Sequence, residues 1–348
     1  MKIGIFTPYL LEPIHPRTEM YLSFFKQEGI DCSIEHSDRK PGFLTGLLSR
    51  SVINMFDIKA IACLSGKIKN YDIVFIQDLK YLPLSIIAKF KRKKVIYETL
   101  DNSVFIRVYS QKKSFFYPVI RFLTPVFCAI EKTICRIFTD HIIVNSHALK
   151  KYFNNRAELI FYSSPFESSG IENNPLKKPA FLYLGAISPD KGINEILDII
   201  NTYQIPAYFF GNCTDAKVIN KLKTNLLITW KNRMNSNRLT EELKILSNEF
   251  YLIGFSLIKS IHYSYATQEA NKEIDYLSMG IPFIGNRRMT TIEKIVAGCG
   301  IFENDNQAVL NLLQNKEQKI LMEANCRKYY DEHYSTKLFE AKVRLIFN

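Results

Sequence analysis

Residues Tyr265–Gly285 read YATQEANKEIDYLSMGIPFIG, a loop, a short helix and a buried strand in succession. Asn271 reads as a helix N-cap, since its side chain can accept the orphan N–H groups of the first turn. Ile274 and Leu277 form an apolar edge at i, i+3, and Gly280 with Pro282 stops the helix. Phe283, Ile284 and Gly285 follow as a strand. A helix N-terminus facing a strand–loop edge can hold an anion, and Lys272 adds a positive charge there. Asp275, one turn further on, could reach a ribose hydroxyl, which points to a nucleotide. The competing reading is an ordinary strand–helix unit with a solvated lysine.

The run N-K-x-x-D-Y-L-x-x-G-x-P resembles the donor-nucleotide segment of the retaining GT-B glycosyltransferases (glycosyl transferases group 1), usually N-K-x-x-E-Y-L-x-x-G-x-P. Asp275 stands where that family has the second Glu of its E-x7-E pair, and Thr267 stands at the first. The resemblance implies an α/β GT-B fold, two Rossmann-like doubly wound domains facing across a cleft. It also implies transfer of a sugar from a nucleotide-diphosphate sugar to a glycan with retention of configuration.

Other segments extend the likeness. FLYLGAISPDKGINEILDII, from Phe181, is similar to the G-R-x-x-x-x-K-G segment whose Arg and Lys clamp the donor diphosphate. Lys191 and Gly192 match, whereas Ala186 occupies the Arg position. Lys272, Arg287 and Arg288 could replace that charge, with the two arginines also readable as a solvated loop pair. Ala207–Asn212 resembles a glycine-ended strand beside the base. In the first half, HPRTEMYLSFFKQEG resembles the D-P-R-V entry to the first helix and singles out Arg17. NYDIVFIQDLKYLP singles out Asp78 after a strand. VIYETLDNS resembles V-Y-D-x-H-E, with Leu100 at the His position and Asp101 at the Glu position. The resemblance therefore implies Thr267, Asp101, Arg17 and Asp78 near the reacting sugar, and Lys191, Gly192, Asn271, Lys272 and Asp275 around the nucleotide.

At 348 residues the chain is long enough for two α/β domains. The expected division is an acceptor-side domain over 1–165, a linker over 166–179, a nucleotide-sugar domain over 180–332 and a closing helix over 333–348 that crosses back. Short apolar runs at Lys2–Phe6, Asp72–Ile76, Lys94–Tyr97, His141–Val144, Ala180–Leu184, Ala207–Phe210 and Phe250–Ile253 alternate with helical periodicity, as a parallel sheet requires.

No apolar run reaches the roughly 18 residues of a membrane span, and MKIGIFTPYLLEP reads as a first strand rather than a signal peptide. Seven scattered cysteines suggest a reducing, cytoplasmic setting without disulfides. His141 and His147 lack partners at metal spacing and there is no D-x-D motif, so no bound metal and no tightly held cofactor are expected.

The net charge of +12 is uneven: residues 1–165 carry 24 Lys/Arg against 14 Asp/Glu, and residues 166–348 carry 22 against 20. The first domain should face something anionic. The segment from Lys112 to Phe138 and the run KFKRKK from Lys89 suit an anionic leaflet; they equally suit a helix pair with one buried face and snorkelling cations. A lipid-linked acceptor of surface polysaccharide assembly fits the first of these. No nucleic-acid module is recognisable. The alternatives to a transferase are a non-catalytic GT-B-like protein binding a glycan or partner transferase, and a nucleotide-sugar epimerase or hydrolase.

Overall fold

The structure is a computed structural model that describes residues 1–8, 14–37, 56–110, 117–259 and 268–347. It divides into two compact units, Met1–Phe161 with Val343–Asn348, and Tyr162–Lys342. Each holds one parallel six-stranded sheet.

The first sheet contains β1 (Lys2–Phe6), β2 (Asp31–Glu35), β3 (Ile73–Gln77), β4 (Lys94–Thr99), β5 (His141–Val144) and β6 (Glu158–Leu159), in the order β2-β1-β3-β4-β5-β6. The central strand β3 is buried throughout, as expected when helices cover both faces of a parallel sheet. The order reverses between β1 and β3, which makes their C-terminal ends the switch point of this unit.

Helix α1 (Pro16–Gln27) follows β1; His15 caps it by accepting from the Arg17 N–H at 3.3 Å, with Pro16 at the first helical position. Helix α2 (Leu84–Phe90) packs against α3 (Thr124–Phe138). Helix α3 turns inward with Glu131, which accepts from the hydroxyls of Tyr97 at 2.9 Å and Tyr152 at 2.7 Å. Burial outweighs these hydrogen bonds and pushes the Glu131 carboxyl up to about 7. The final helix, α7 (Thr336–Phe347), delivers Phe347 into this unit, 4.9 Å from the ring of Phe25 and 5.3 Å from that of Phe75.

The second sheet contains β7 (Lys178–Leu184), β8 (Ala207–Phe210), β9 (Ile228–Lys231), β10 (Phe250–Ser256), β11 (Phe283–Gly285) and β12 (Gly300–Phe302). Its order, β12-β11-β10-β7-β8-β9, is the 3-2-1-4-5-6 arrangement of dinucleotide-binding sheets, with the switch point between β7 and β10. Helices α4 (Ile193–Tyr203), α5 (Asn271–Ser278) and α6 (Met289–Val296) follow β7, β10 and β11.

The polar stretch expected to link the domains packs as part of this second unit. Asn173 donates to Leu252 O at 2.9 Å and accepts the Leu252 N–H at 2.7 Å, so an amide side chain satisfies the start of β10.

Candidate functional site

In open α/β sheets ligands bind beyond the strand C-termini at the switch point, and in the second unit one side chain defines that place. As β7 and β10 part, the Tyr276 hydroxyl enters between them. It accepts the Leu184 N–H at 3.1 Å and lies 3.2 Å from Leu182 O and 3.3 Å from Phe255 O. Only glycine at 254 leaves room for this ring, since an added Cβ would come within 2.6 Å of it.

Tyr276 belongs to α5, whose N-terminus differs from the expected one. Ala270, not Asn271, is the N-cap, and no side chain caps the helix; Asn271 is its first residue. A buried charge network holds the entry instead. Arg288 donates to Gln268 O at 2.7 Å and to Glu273 Oε1 at 2.7 Å; Thr290 also donates to Gln268 O, at 3.1 Å. Glu273 further accepts from Ser256 at 2.6 Å and Thr291 at 2.7 Å, and lies 3.0 Å from Lys294 Nζ. Lys294 pairs in turn with Glu269.

Burial opposes ionisation of Glu273, but Lys294, Arg288 and the two hydroxyls outweigh it and hold the carboxyl at about 2. Glu269 is raised instead, because burial, with the repulsion of Glu273 added, outweighs the attraction of Lys294 and Arg288. Arg288 is therefore a core residue rather than half of a solvated pair, while Arg287 is exposed. Two adjacent arginines leaving a strand point to opposite sides, and the threonines after Arg288 mark the inward one.

With its entry pinned, α5 presents unmet groups. The N–H groups of Asn271 and Lys272 have no partner inside the helix, whereas those of Glu273 and Ile274 reach Ala270 O. Lys272 Nζ is buried without a hydrogen-bond partner among the described residues and lies 3.9 Å from the centre of the Tyr183 ring. Burial first, then the charges of Lys191 and Arg288, hold its pKa well below the usual lysine range.

Lys191 comes close because Gly192 permits it. Gly192 has φ +73°, and an added Cβ would lie 2.0 Å from Leu257 O, so the turn after β7 sits directly against the exit of β10. Gly211 makes a similar backbone approach to Gly185.

Asp275, one turn after Asn271, accepts from Ser164 at 2.8 Å and from Tyr162; burial outweighs both and pushes its carboxyl up to about 7. Ala186 is exposed. Thr267 lies outside the described residues.

The structure thus brings Lys191, Gly192, Asn271 and Lys272 together, with Asp275 one turn along. Three first-unit candidates lie around the sheet of their own unit. Arg17 and Glu98, both about 1% exposed, pair at 2.9 Å. Arg17 also donates to Phe161 O at 2.5 Å, Ile160 O at 2.9 Å and the Tyr21 hydroxyl at 3.1 Å. It braces α1 against β4 and the segment after β6. Asp78 follows β3 at that sheet's switch point with φ +84°, and accepts from Lys80 N at 2.8 Å and Arg107 at 2.5 Å. Asp101 follows β4, its carbonyl accepting from Thr99 at 2.7 Å.

No family model and no curated protein matches this sequence. Solved structures do match along the whole chain. HepE from Anabaena, determined with UDP and glucose, aligns with TM-score 0.64 and 12% identity over 100% of this chain and 99% of its own. A sucrose-phosphate synthase from Thermosynechococcus elongatus aligns with TM-score 0.64 and 14% identity over 99% and 98%. A trehalose-6-phosphate protein from E. coli, bound with UDP-2-fluoro glucose, aligns with TM-score 0.65 and 9% identity over 99% of each chain.

The fold is GT-B. Within this GT-B chain, no cluster of three or more His, Cys, Asp or Glu suited to a metal occurs among the described residues. No described helix is long and apolar enough to cross a membrane.

Proposed function

We propose that this protein is a glycosyltransferase moving a sugar from a nucleotide-diphosphate sugar to a glycan acceptor. The observation that carries this reading is Lys272. An amine buried with no hydrogen bond among the described residues, beside a second lysine and two helix N–H groups that have no partner inside the helix, is costly unless an anion completes the arrangement. A donor diphosphate supplies that anion. Lys191 and Lys272 then meet the phosphates, the first N–H groups of α5 hold one phosphate oxygen, Gly192 keeps the turn close, and Asp275 meets the ribose. The solved GT-B structures that carry UDP or a UDP-sugar support the same ligand class.

In this reading the second unit binds the nucleotide sugar and the first faces the acceptor. Thr267, Asp78, Asp101 and Arg17 belong to the sugar side, Arg17 through the frame it braces. Retention of configuration follows from the motif resemblance, and catalysis rests on positioning and stabilisation of the leaving diphosphate. The acceptor is a lipid-linked glycan of surface polysaccharide assembly, met at the inner face of the cell membrane; the basic first half supports an anionic surface. No tightly bound cofactor and no nucleic acid takes part.

A second reading, a non-catalytic GT-B protein that binds a glycan or partner transferase, is favoured by Ala186 at the clamp position and by Arg17 being tied into its own sheet. Calorimetry and thermal shift with UDP, GDP, CMP, dTDP and their sugars separate the two. The transferase reading expects one diphosphate to bind, with Lys191→Ala lowering turnover by roughly two to three orders of magnitude. Failure of every nucleotide to bind overturns it in favour of the second. Unchanged turnover in Lys191→Ala removes that lysine from the site.

A further inference from the structure

We infer that the outer face of α3, with the helix Tyr117–Phe122 before it, is a docking surface for an anionic lipid leaflet. This deepens the peripheral-membrane part of the reading above by naming the surface, and it stands on observations in the first unit alone.

Helix α3 has three sectors. Its inward sector is fixed by Glu131, held by two tyrosine hydroxyls, and by buried Cys135. Rotation that hides the outer face would pull this carboxyl out of its contacts. The outer sector carries Val126, Ile130 and Ile137, which at 100° per residue lie within about 40° of the helix circumference. Val126 is 51% and Ile137 58% exposed. Phe122, at the end of the preceding helix, is 82% exposed, and Val119 is exposed one turn earlier.

The third sector is basic. Arg136 edges the apolar stripe, with Lys132 further round the helix over the Tyr152 ring at 4.2 Å, and Arg121 is exposed beside Phe122. Helix α2, packed against α3, adds Phe90 at 81% exposure together with Lys89 and the exposed Lys91 and Arg92. Acidic groups are few on these elements: Glu131 is buried, and Asp140 is paired with Lys89 at 2.5 Å.

An exposed aromatic and aliphatic stripe edged by cations is the pattern of an interfacial helix. The charges select the occupant. Nucleic acid would satisfy the cations and leave the phenylalanine and isoleucine faces wet. An anionic leaflet takes both, the stripe at the acyl boundary and the cations among the headgroups.

The test is co-sedimentation of the full chain with vesicles, without nucleotide. Phosphatidylcholine alone is compared with phosphatidylcholine containing phosphatidylglycerol. The wild type is expected to bind the mixed vesicles at least tenfold more tightly, with the difference shrinking at high salt. Phe122→Gln/Val126→Gln/Ile137→Gln should weaken binding by a hundredfold or more. Arg121→Gln/Arg136→Gln should cost about fivefold per cation. Circular-dichroism melting checks that the fold persists at these exposed positions.

The inference is overturned by absence of wild-type vesicle binding, by unaltered binding of the triple variant, or by equal binding to both vesicle types. Sedimentation showing a dimer that the triple variant dissolves would make a second copy the occupant and overturn it likewise. Vesicle binding without nucleotide binding would sink the transferase reading and leave this one standing; the reverse result would do the opposite.

Discussion

Replacing Glu273 by Gln removes the charge on which the buried network under α5 depends. The Glu273 carboxyl titrates at about 2 in the fold against 4.5 unperturbed, a gap of about 2.5 units, or about 3 kcal/mol at 1.36 kcal/mol per unit. That figure agrees with the roughly 3–5 kcal/mol lost when one member of a buried ion pair is removed. Because the folded carboxyl titrates below the unfolded one, the stabilisation is complete above pH ~4.5 and lost as pH falls through ~2; about half remains near pH 3. The chain has one tryptophan, Trp230, which lies in the second unit and donates to Gly211 O at 2.8 Å. Its fluorescence therefore follows the unit that holds Glu273. With a urea dependence of about 2–3 kcal/mol per molar, Glu273→Gln should lower the Trp230 midpoint by roughly 1–1.5 M at pH 7, and by about half as much at pH 3. An unchanged midpoint at pH 7 refutes the reasoning. So does a loss that is the same at both pH values, because the effect would then owe nothing to the charge.

Three further outcomes are expected. In calorimetry with a nucleoside diphosphate, the wild type should take up a proton on Lys272, because burial, Lys191 and Arg288 hold the free amine's pKa low and the anion favours its charged form; the apparent enthalpy should then differ between phosphate and Tris buffers, and should not in Lys272→Met. Affinity should fall as pH rises, since the charged amine is the binding form. Asp275→Asn should raise the Trp230 urea midpoint at high pH: the carboxyl is pushed up to about 7 from 3.8, so its ionisation costs the fold up to roughly 4 kcal/mol above pH 7 and nothing below pH ~3.8. Equal midpoints at pH 8 would contradict this. Tyr276→Phe should cost about 1–3 kcal/mol in the same assay, by leaving the Leu184 N–H without its acceptor where β7 and β10 part.

Much of the fold is legible in one dimension. His141–Val144 and Ala207–Phe210 read as strands because both are short, largely buried apolar runs, and buried parallel strands need no other signal. The edge strand Ile228–Lys231 does not, since its residues alternate between half-buried and exposed and Lys231 pairs with Glu242 at 2.6 Å. At the candidate site, Lys191 and Gly192 stand out through the motif resemblance, and a helix running from about residue 271 to Gly280 is readable from its apolar edge and its glycine stop. The cap is not. Asn271 has the right side chain for an N-cap, yet the chain enters one residue earlier because Arg288 and Lys294, far along the sequence, pin Gln268 and Glu269. Local propensity cannot register a distant ion pair. Arg17 illustrates the same limit, since its partner Glu98 lies on another strand.

The placement of residues 343–347 has a consequence for how the chain is made. Phe347 fills the aromatic cluster of the first unit with Phe25 and Phe75, and Arg344 reaches Glu28 at 2.6 Å. About 180 residues of the second unit are translated between the first unit's strands and these last side chains. At bacterial-to-eukaryotic synthesis rates that is a delay of roughly ten to forty seconds. During it the first unit, all six of its strands already made, lacks the ring that fills its aromatic cluster, whereas the second unit draws every strand from one uninterrupted stretch of chain.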